Sequence, residues 1–222
     1  MSYIIITKKI WDKSNFKNLS KKIKVFQKIE KYKINKINPK IIFFIHWSKL
    51  IPKNIYENYT CIQFHLADLP KGRGGSPIQN QILINIKKTQ ISAFRVEKEL
   101  DSGPICAKQN FFLNGNLESI LKKMEIKSIN IVKKLIKKKK IIFKKQIGKP
   151  TFFKRRKLEE SEINMSKIKT INKMYDFLRM LDAPDYPSAF IKLKEFKITF
   201  NDIKKKHNII KAKVKIIKNE KK

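Results

Sequence analysis

The 222 residues carry 41% hydrophobic and 10% aromatic side chains, enough to bury the core of one ordinary domain with a small appendage and too many for a disordered chain. Cys61 and Cys106 are too few for a disulfide scaffold, lack metal-site spacing, and read as reduced, buried apolar side chains. The formal net charge of +35 ordinarily points to nucleic acid or an anionic membrane. Here lysine is spread along the chain in company with isoleucine and asparagine, all three encoded by A/T-rich codons. Codon composition then explains the charge, and no dedicated nucleic-acid binding is expected; an anionic substrate is the alternative.

The first residues reach a lysine pair by position 8 and lack a small-residue cleavage site, so a cytoplasmic protein is expected. Tyr3 to Thr7 is a β-branched run that reads as a buried strand. Asp12 or Ser14 can cap a helix running to about Phe26, with Phe16, Leu19 and Ile23 on one face. Ile41 to Ile45 follows Pro39 and reads as a fully buried strand of a parallel sheet, far too short to cross a bilayer. Thr60 to Phe64 is a third strand and Ile91 to Val96 a fourth. From Leu117 to about Lys138 the apolar residues fall mostly at helical spacing, with Asn116 as the cap. These alternating segments give an α/β domain with a largely parallel sheet over residues 1–150. Residues 151–222 hold a linker (Phe152 to Ser161), a helix near Thr170 to Leu181, and strand-like runs at 196–200 and 212–216. Residues 218–222 read as a frayed tail. The first glycine is Gly72, so neither a dinucleotide-binding fingerprint nor a P-loop follows the first strand.

Chemistry concentrates in two punctuated segments. In the first, residues 63–77, a buried strand runs into a loop holding His65, Pro70 and three of the six glycines. Open α/β sheets place ligands at the carboxyl ends of their strands, and glycine lets the backbone approach a ligand closely. In the second, Asp101-Ser102-Gly103-Pro104, an acid precedes a tight turn; a plain turn aspartate is the competing reading.

Together the segments resemble the folate-dependent formyltransferases, which include methionyl-tRNA formyltransferase and enzymes that formylate amino sugars on nucleotide carriers. His65, Leu69-Pro70, Arg73-Gly74, Pro77 and Asp101-Ser102-Gly103 match the family pattern, and His65 and Asp101 lie 36 positions apart (101 − 65). Weaker likeness extends to residues 44–48, 153–157 and 179–183. The resemblance implies a mostly parallel Rossmann-like formyltransferase sheet with a small α+β C-terminal module, and 10-formyltetrahydrofolate as cofactor. It makes His65 and Asp101 catalytic, with Gln63 standing where the family has asparagine. Glutamine keeps the amide one methylene further out; Gln79 or Asn80 is the alternative amide. The resemblance also implies that Ala67, Asp68, Leu69 and Pro70, with His46, Trp47 and Ser48, cradle the folate, and that no metal is needed. By residue type, His46 could equally be an ordinary semi-buried histidine, and Trp47 a core or lid residue.

Only 74 residues follow Gly148 (222 − 148), which reads as too few for the RNA-gripping barrel of the tRNA enzyme. A nucleotide-linked amino sugar is therefore the expected acceptor, a small-molecule substrate met by Arg73, Arg155, Arg156, Arg179 and Tyr186. Arginine suits a diphosphate because its planar fork bonds two oxygens at once; plain surface charge is the competing reading. A methionyl-tRNA formyltransferase-like enzyme is the alternative. A basic nucleic-acid-binding protein on the same fold is a third, and requires its lysines gathered on one face. The purine-pathway enzyme is disfavoured, since its early glycine-rich loop has no counterpart here.

Overall fold

The computed structural model describes residues 1–17 and 19–219, which group into two compact units. The first comprises Met1–Pro77, Lys88–Phe112 and Leu121–Phe153. The second comprises Ile78–Lys87, Leu113–Ile120 and the chain from Lys154 onward.

In the first unit β1 (Tyr3–Thr7), β2 (Ile23–Phe26), β3 (Ile41–Ile45) and β4 (Thr60–His65) run parallel in the order β2-β1-β3-β4. β5 (Arg73–Gly74) lies outside this sheet. β6 (Lys88–Arg95) and β7 (Ile105–Phe112) complete it as antiparallel strands. β8 (Phe152–Phe153) pairs with β5 in a two-stranded parallel ribbon. The connections carry short helices α1 (Ser14–Lys17), α2 (Lys31–Ile37) and α3 (Lys53–Tyr56). β1 and β3 are buried at every position, so both faces of the sheet are covered, as expected of parallel strands. Ile4, Ile6, Ile42 and Phe44 pack with Ile34 of α2 and Ile55 of α3 on one face. Each such fully buried side chain contributes about 1.5–3 kcal/mol.

The helix expected from Asp12 to Phe26 stops at Lys17, and Ile23–Phe26 is the edge strand β2. Phe16, Leu19 and Ile23 satisfy a helical period. However, Ile23, Val25 and Phe26 also suit a strand, and pairing Tyr3 with Ile23 gives the open edge of β1 a partner. The fourth predicted strand starts three residues earlier, at Lys88.

α4 (Pro77–Leu83) lies mostly in the second unit, as does the first turn of α5 (Leu117–Ile136). Asn116 caps α5 as expected, its Oδ1 accepting from Ser119 N at 3.1 Å. The unit continues with α6 (Ile171–Arg179), capped by Thr170, and an antiparallel sheet of β9 (Ala189–Lys192), β10 (Phe196–Lys206) and β11 (Ile209–Lys218). The molecule is thus α/β with a small antiparallel C-terminal module. Among the described residues no helix is long and apolar enough to cross a membrane.

Candidate active site

β4 ends at His65, and β6 lies beside it with Ser92 opposite His65. The β6–β7 turn carries Asp101, so the sheet brings two residues distant in sequence to one place. The His65 Nδ1 to Asp101 Oδ2 distance is 3.6 Å, and both side chains are buried. His65 Nε2 lies 2.8 Å from the Gly72 carbonyl. A carbonyl only accepts, so this contact assigns the neutral ring's proton to Nε2 and turns the Nδ1 lone pair toward Asp101. The 3.6 Å gap is too long for a hydrogen bond, as is common where a substrate must complete the contact.

Asp101 is held from two sides. Its Oδ2 accepts from Gly74 N at 2.8 Å, and its backbone sits at φ 53, a left-handed conformation that aspartate tolerates better than most residues. Two glycines make this approach possible. A Cβ on Gly103 would lie 1.8 Å from the Arg95 carbonyl oxygen. One on Gly74, already at φ 97, would lie 2.4 Å from the Phe153 carbonyl oxygen.

The loop after His65 is pinned by side chains that sequence reasoning missed. Fully buried Ser92 donates to the Ala67 carbonyl at 2.7 Å and accepts from Leu69 N at 3.4 Å. Lys108 of β7 donates to the Leu69 carbonyl at 2.6 Å and pairs with Asp68. Leu69–Pro70 is a cis peptide. No motif marks Ser92 or Lys108; only the pairing of β4, β6 and β7 reveals them.

Gln63 Nε2 donates weakly to the Trp47 carbonyl at 3.4 Å, which ties the β4 end to the His46–Ser48 loop. The other amides are engaged elsewhere: Gln79 with the Met180 carbonyl and Asn80 with the Lys154 carbonyl. His46 sits at φ 51 with its Nε2 buried, and Trp47 Nε1 is buried beside it in sequence; neither atom has a hydrogen-bond partner among the described residues. Desolvation lowers the His46 pKa to about 4 against a backbone hydrogen bond to Leu121, so the ring is neutral near pH 7. Ser48 is exposed. Burial pushes both thiols up to about 12, although Cys106 is only half-buried rather than buried as expected.

Arg73 lies in the first unit with its Nε and Nη2 on Gln146 Oε1, at 3.2 and 2.8 Å. Arg155, Arg156, Arg179 and Tyr186 belong to the second unit. Arg179 is 4% exposed, and its guanidinium is occupied by Asp176 and the Leu113 and Gly115 carbonyls, each at 2.7 Å. These bonds fix the segment before α5 and engage the guanidinium that was expected to meet a substrate. Arg156 bonds the Glu160 carbonyl, and desolvation lowers its pKa against the Glu160 charge. Arg155 and Tyr186 are both exposed, although local desolvation raises the Tyr186 pKa, with Arg155 opposing.

A buried His–Asp pair at strand ends, under a glycine loop, can move a proton and orient a nucleophile. Two family models match the chain: Formyl transferase over residues 6–119, and Methionyl-tRNA formyltransferase, C-terminal domain, over residues 158–217. The solved structure of methionyl-tRNA formyltransferase from Clostridium thermocellum is 40% identical, with a TM-score of 0.90, covering 99% of this chain and 100% of that one. A 4-N formyltransferase from Francisella tularensis is 18% identical with a TM-score of 0.65, covering 87% of this chain and 93% of that one, a likeness of fold. The methionyl-tRNA formyltransferase of Thermodesulfovibrio yellowstonii is 27% identical over 173 residues, 75% of this chain. The chain spans 55% of that relative's length, and 27% of a Rickettsia felis relative's. By the match over residues 6–119 and the end-to-end likeness to the clostridial structure, the chain belongs to the formyl transferase family.

Proposed function

We propose that the chain is an N-formyltransferase that moves the formyl group of 10-formyltetrahydrofolate to the amine of methionyl-tRNA, with residues 1–150 catalytic and 151–222 serving the acceptor. The observation that carries the chemistry is the buried His65–Asp101 pair. In the reaction the amine nitrogen bonds to the formyl carbon and the bond from that carbon to folate N10 breaks. One proton leaves the amine and one arrives at N10. His65 Nδ1, facing Asp101, takes and returns that proton, and Asp101 stabilises the imidazolium while it exists. The Gln63 amide, weakly held by the Trp47 carbonyl, would donate to the formyl oxygen.

The folate fits this chain on a structural ground. His46 Nε2 and Trp47 Nε1 are buried without partners, and each such atom costs about 1–3 kcal/mol unless paired. His46, Trp47 and the pinned Ala67–Pro70 backbone are the residues that would hold the folate, whose pterin nitrogens and carbonyl would pair with the two buried nitrogens. Bound there, the folate contributes the activated formyl group.

Two observations favour tRNA over the amino sugar expected from the sequence. The length argument loses its force, because the clostridial chain bearing the methionyl-tRNA name is covered in full by this one. In the second unit, moreover, the strand pairing puts lysines of β10 and β11 on a common face of the sheet. Incubation with 10-formyltetrahydrofolate and either methionyl-tRNA or a panel of nucleotide-linked amino sugars tests the proposal. Turnover of methionyl-tRNA is expected. Turnover of a sugar alone overturns the acceptor, and turnover of neither overturns the function.

A further inference from the structure

Gln146 lies in the irregular segment between α5 and β8, in no motif, yet its amide is saturated. Nε2 donates to the Asp101 and Gly103 carbonyls, both at 2.8 Å, and Oε1 accepts from Arg73 Nε and Nη2. Both hydrogens and both lone pairs are used, and the partners allow only one orientation of the amide. The bonds land on the two loops that make the candidate centre. Arg73 sits between Gly72, whose carbonyl holds His65 Nε2, and Gly74, whose N–H holds Asp101 Oδ2. The contacts form a closed ring from His65 through Gly72, Arg73 and Gln146 to Asp101 and back to His65. Asp101 is in the left-handed region, where a non-glycine backbone persists only when its surroundings over-determine it. Gln146 is the side chain that bonds this turn at two carbonyls.

Resting on the formyl-transfer reading, we propose that Gln146 is a positioning residue that sets the His65–Asp101 separation, and that Arg73 acts through it rather than on a substrate. Gln146→Glu keeps acceptors for Arg73 but turns a carboxylate toward two carbonyls and removes both donors. Its kcat should fall about 10–100-fold, the cost of an ångström-scale misplacement, with KM for donor and acceptor nearly unchanged. Arg73→Met leaves the Asp101 bonds in place and should give a smaller fall in kcat, again without a change in KM. Gln146→Asn, which restores the amide on a shorter stem, should recover part of the Gln146→Glu loss. In parallel, the ring ¹⁵N signals of His65, one of three histidines, should move in Gln146→Glu while those of His207 stay. Unchanged kcat in a folded Gln146→Glu protein, or a loss carried by KM, overturns the proposal. If the unmodified chain transfers no formyl group at all, the functional reading fails, and unmoved His65 signals in Gln146→Glu would still overturn the role of Gln146 separately.

Discussion

The three histidines differ in what surrounds the ring. His207 is exposed at the turn between β10 and β11. His65 faces a buried carboxylate and a carbonyl, whereas His46 meets desolvation and one backbone bond. His46, with a pKa of about 4, is a poor base at neutral pH, and the proposed reaction therefore assigns proton transfer to His65. Replacing His65 by Ala or Asp101 by Asn should therefore cut kcat/KM by about 10²–10⁴ in proteins that keep a cooperative unfolding transition. His46 has a different signature. Its folded pKa of about 4 lies below the ordinary 6.5, so unfolding takes up a proton between those values. The stability this contributes is complete above about pH 6.5 and is lost as pH falls toward 4, on the order of 2–3 kcal/mol. In urea melts, His46→Asn, chosen because asparagine tolerates φ 51, should lose less stability than the parent between pH 7 and 4. An equal acid loss in both proteins would assign the acid sensitivity elsewhere.

Among the elements, α5 illustrates what a single buried charge organises. Glu125 is fully buried, and its carboxylate accepts from Trp11 N, Asp12 N and Asn15 Nδ2 at 2.9–3.0 Å. It thereby fixes the chain that leaves β1. Glu125→Ala strands these donors and should cost about 2–4 kcal/mol in denaturant unfolding. Amide exchange at Trp11 and Asp12 should rise first; unchanged protection there would show that the loop is held by other contacts. In Asp182 the second unit has a comparable centre, accepting from Asn116, Asp202 N and Ile203 N. Such hubs explain what the sequence does and does not disclose. β1 and β3 were legible because both faces are apolar, β4 because its Cys61-Ile62 and Phe64 positions are buried before a punctuated loop, and α5 because its period runs long. β2 was hidden by a residue spacing that fits two structures, and β7 because an edge strand such as Lys108-Gln109-Asn110 carries little apolar signal. At the site, His65 and Asp101 stand in punctuated motifs. Ser92, Lys108 and Gln146 act through long-range pairing, which local pattern cannot show. Arg179 reads as a substrate contact or a surface cation, since nothing nearby in sequence announces the carbonyls it meets.

At the scale of the whole molecule the charge of +35 becomes informative only once the C-terminal sheet is folded. Read along the chain, its lysines alternate irregularly. The pairing of β10 with β11 slips between Asn201 and Lys204, with Asp202 at φ 52, and that bulge reverses which residues share a face. Lys197, Lys204 and Lys206 then fall on the same face as Lys211, Lys213 and Lys215, while Ile198, Phe200, Val214 and Ile216 take the other. Asp202 is the one acid within these two strands. Asp202 pairs with Lys204 and Lys213 at 3.3 Å, and the face keeps a net positive charge that a polyanion would meet. If these six lysines meet phosphates of the acceptor, affinity should fall by about 10³ between roughly 50 and 200 mM salt. The measurement is KM for methionyl-tRNA against salt, beside KM for 10-formyltetrahydrofolate, which should change far less. Replacing Lys211, Lys213 and Lys215 by Gln should reduce the slope of log KM on log salt by about two to three, with kcat preserved. The folded sheet should survive, because the three side chains are exposed and the Lys213–Asp202 pair at 3.3 Å lies at the surface, where such pairs contribute little. A slope identical in the triple variant would place the acceptor's phosphates on another surface, leaving the chemistry at His65 and Asp101 untouched.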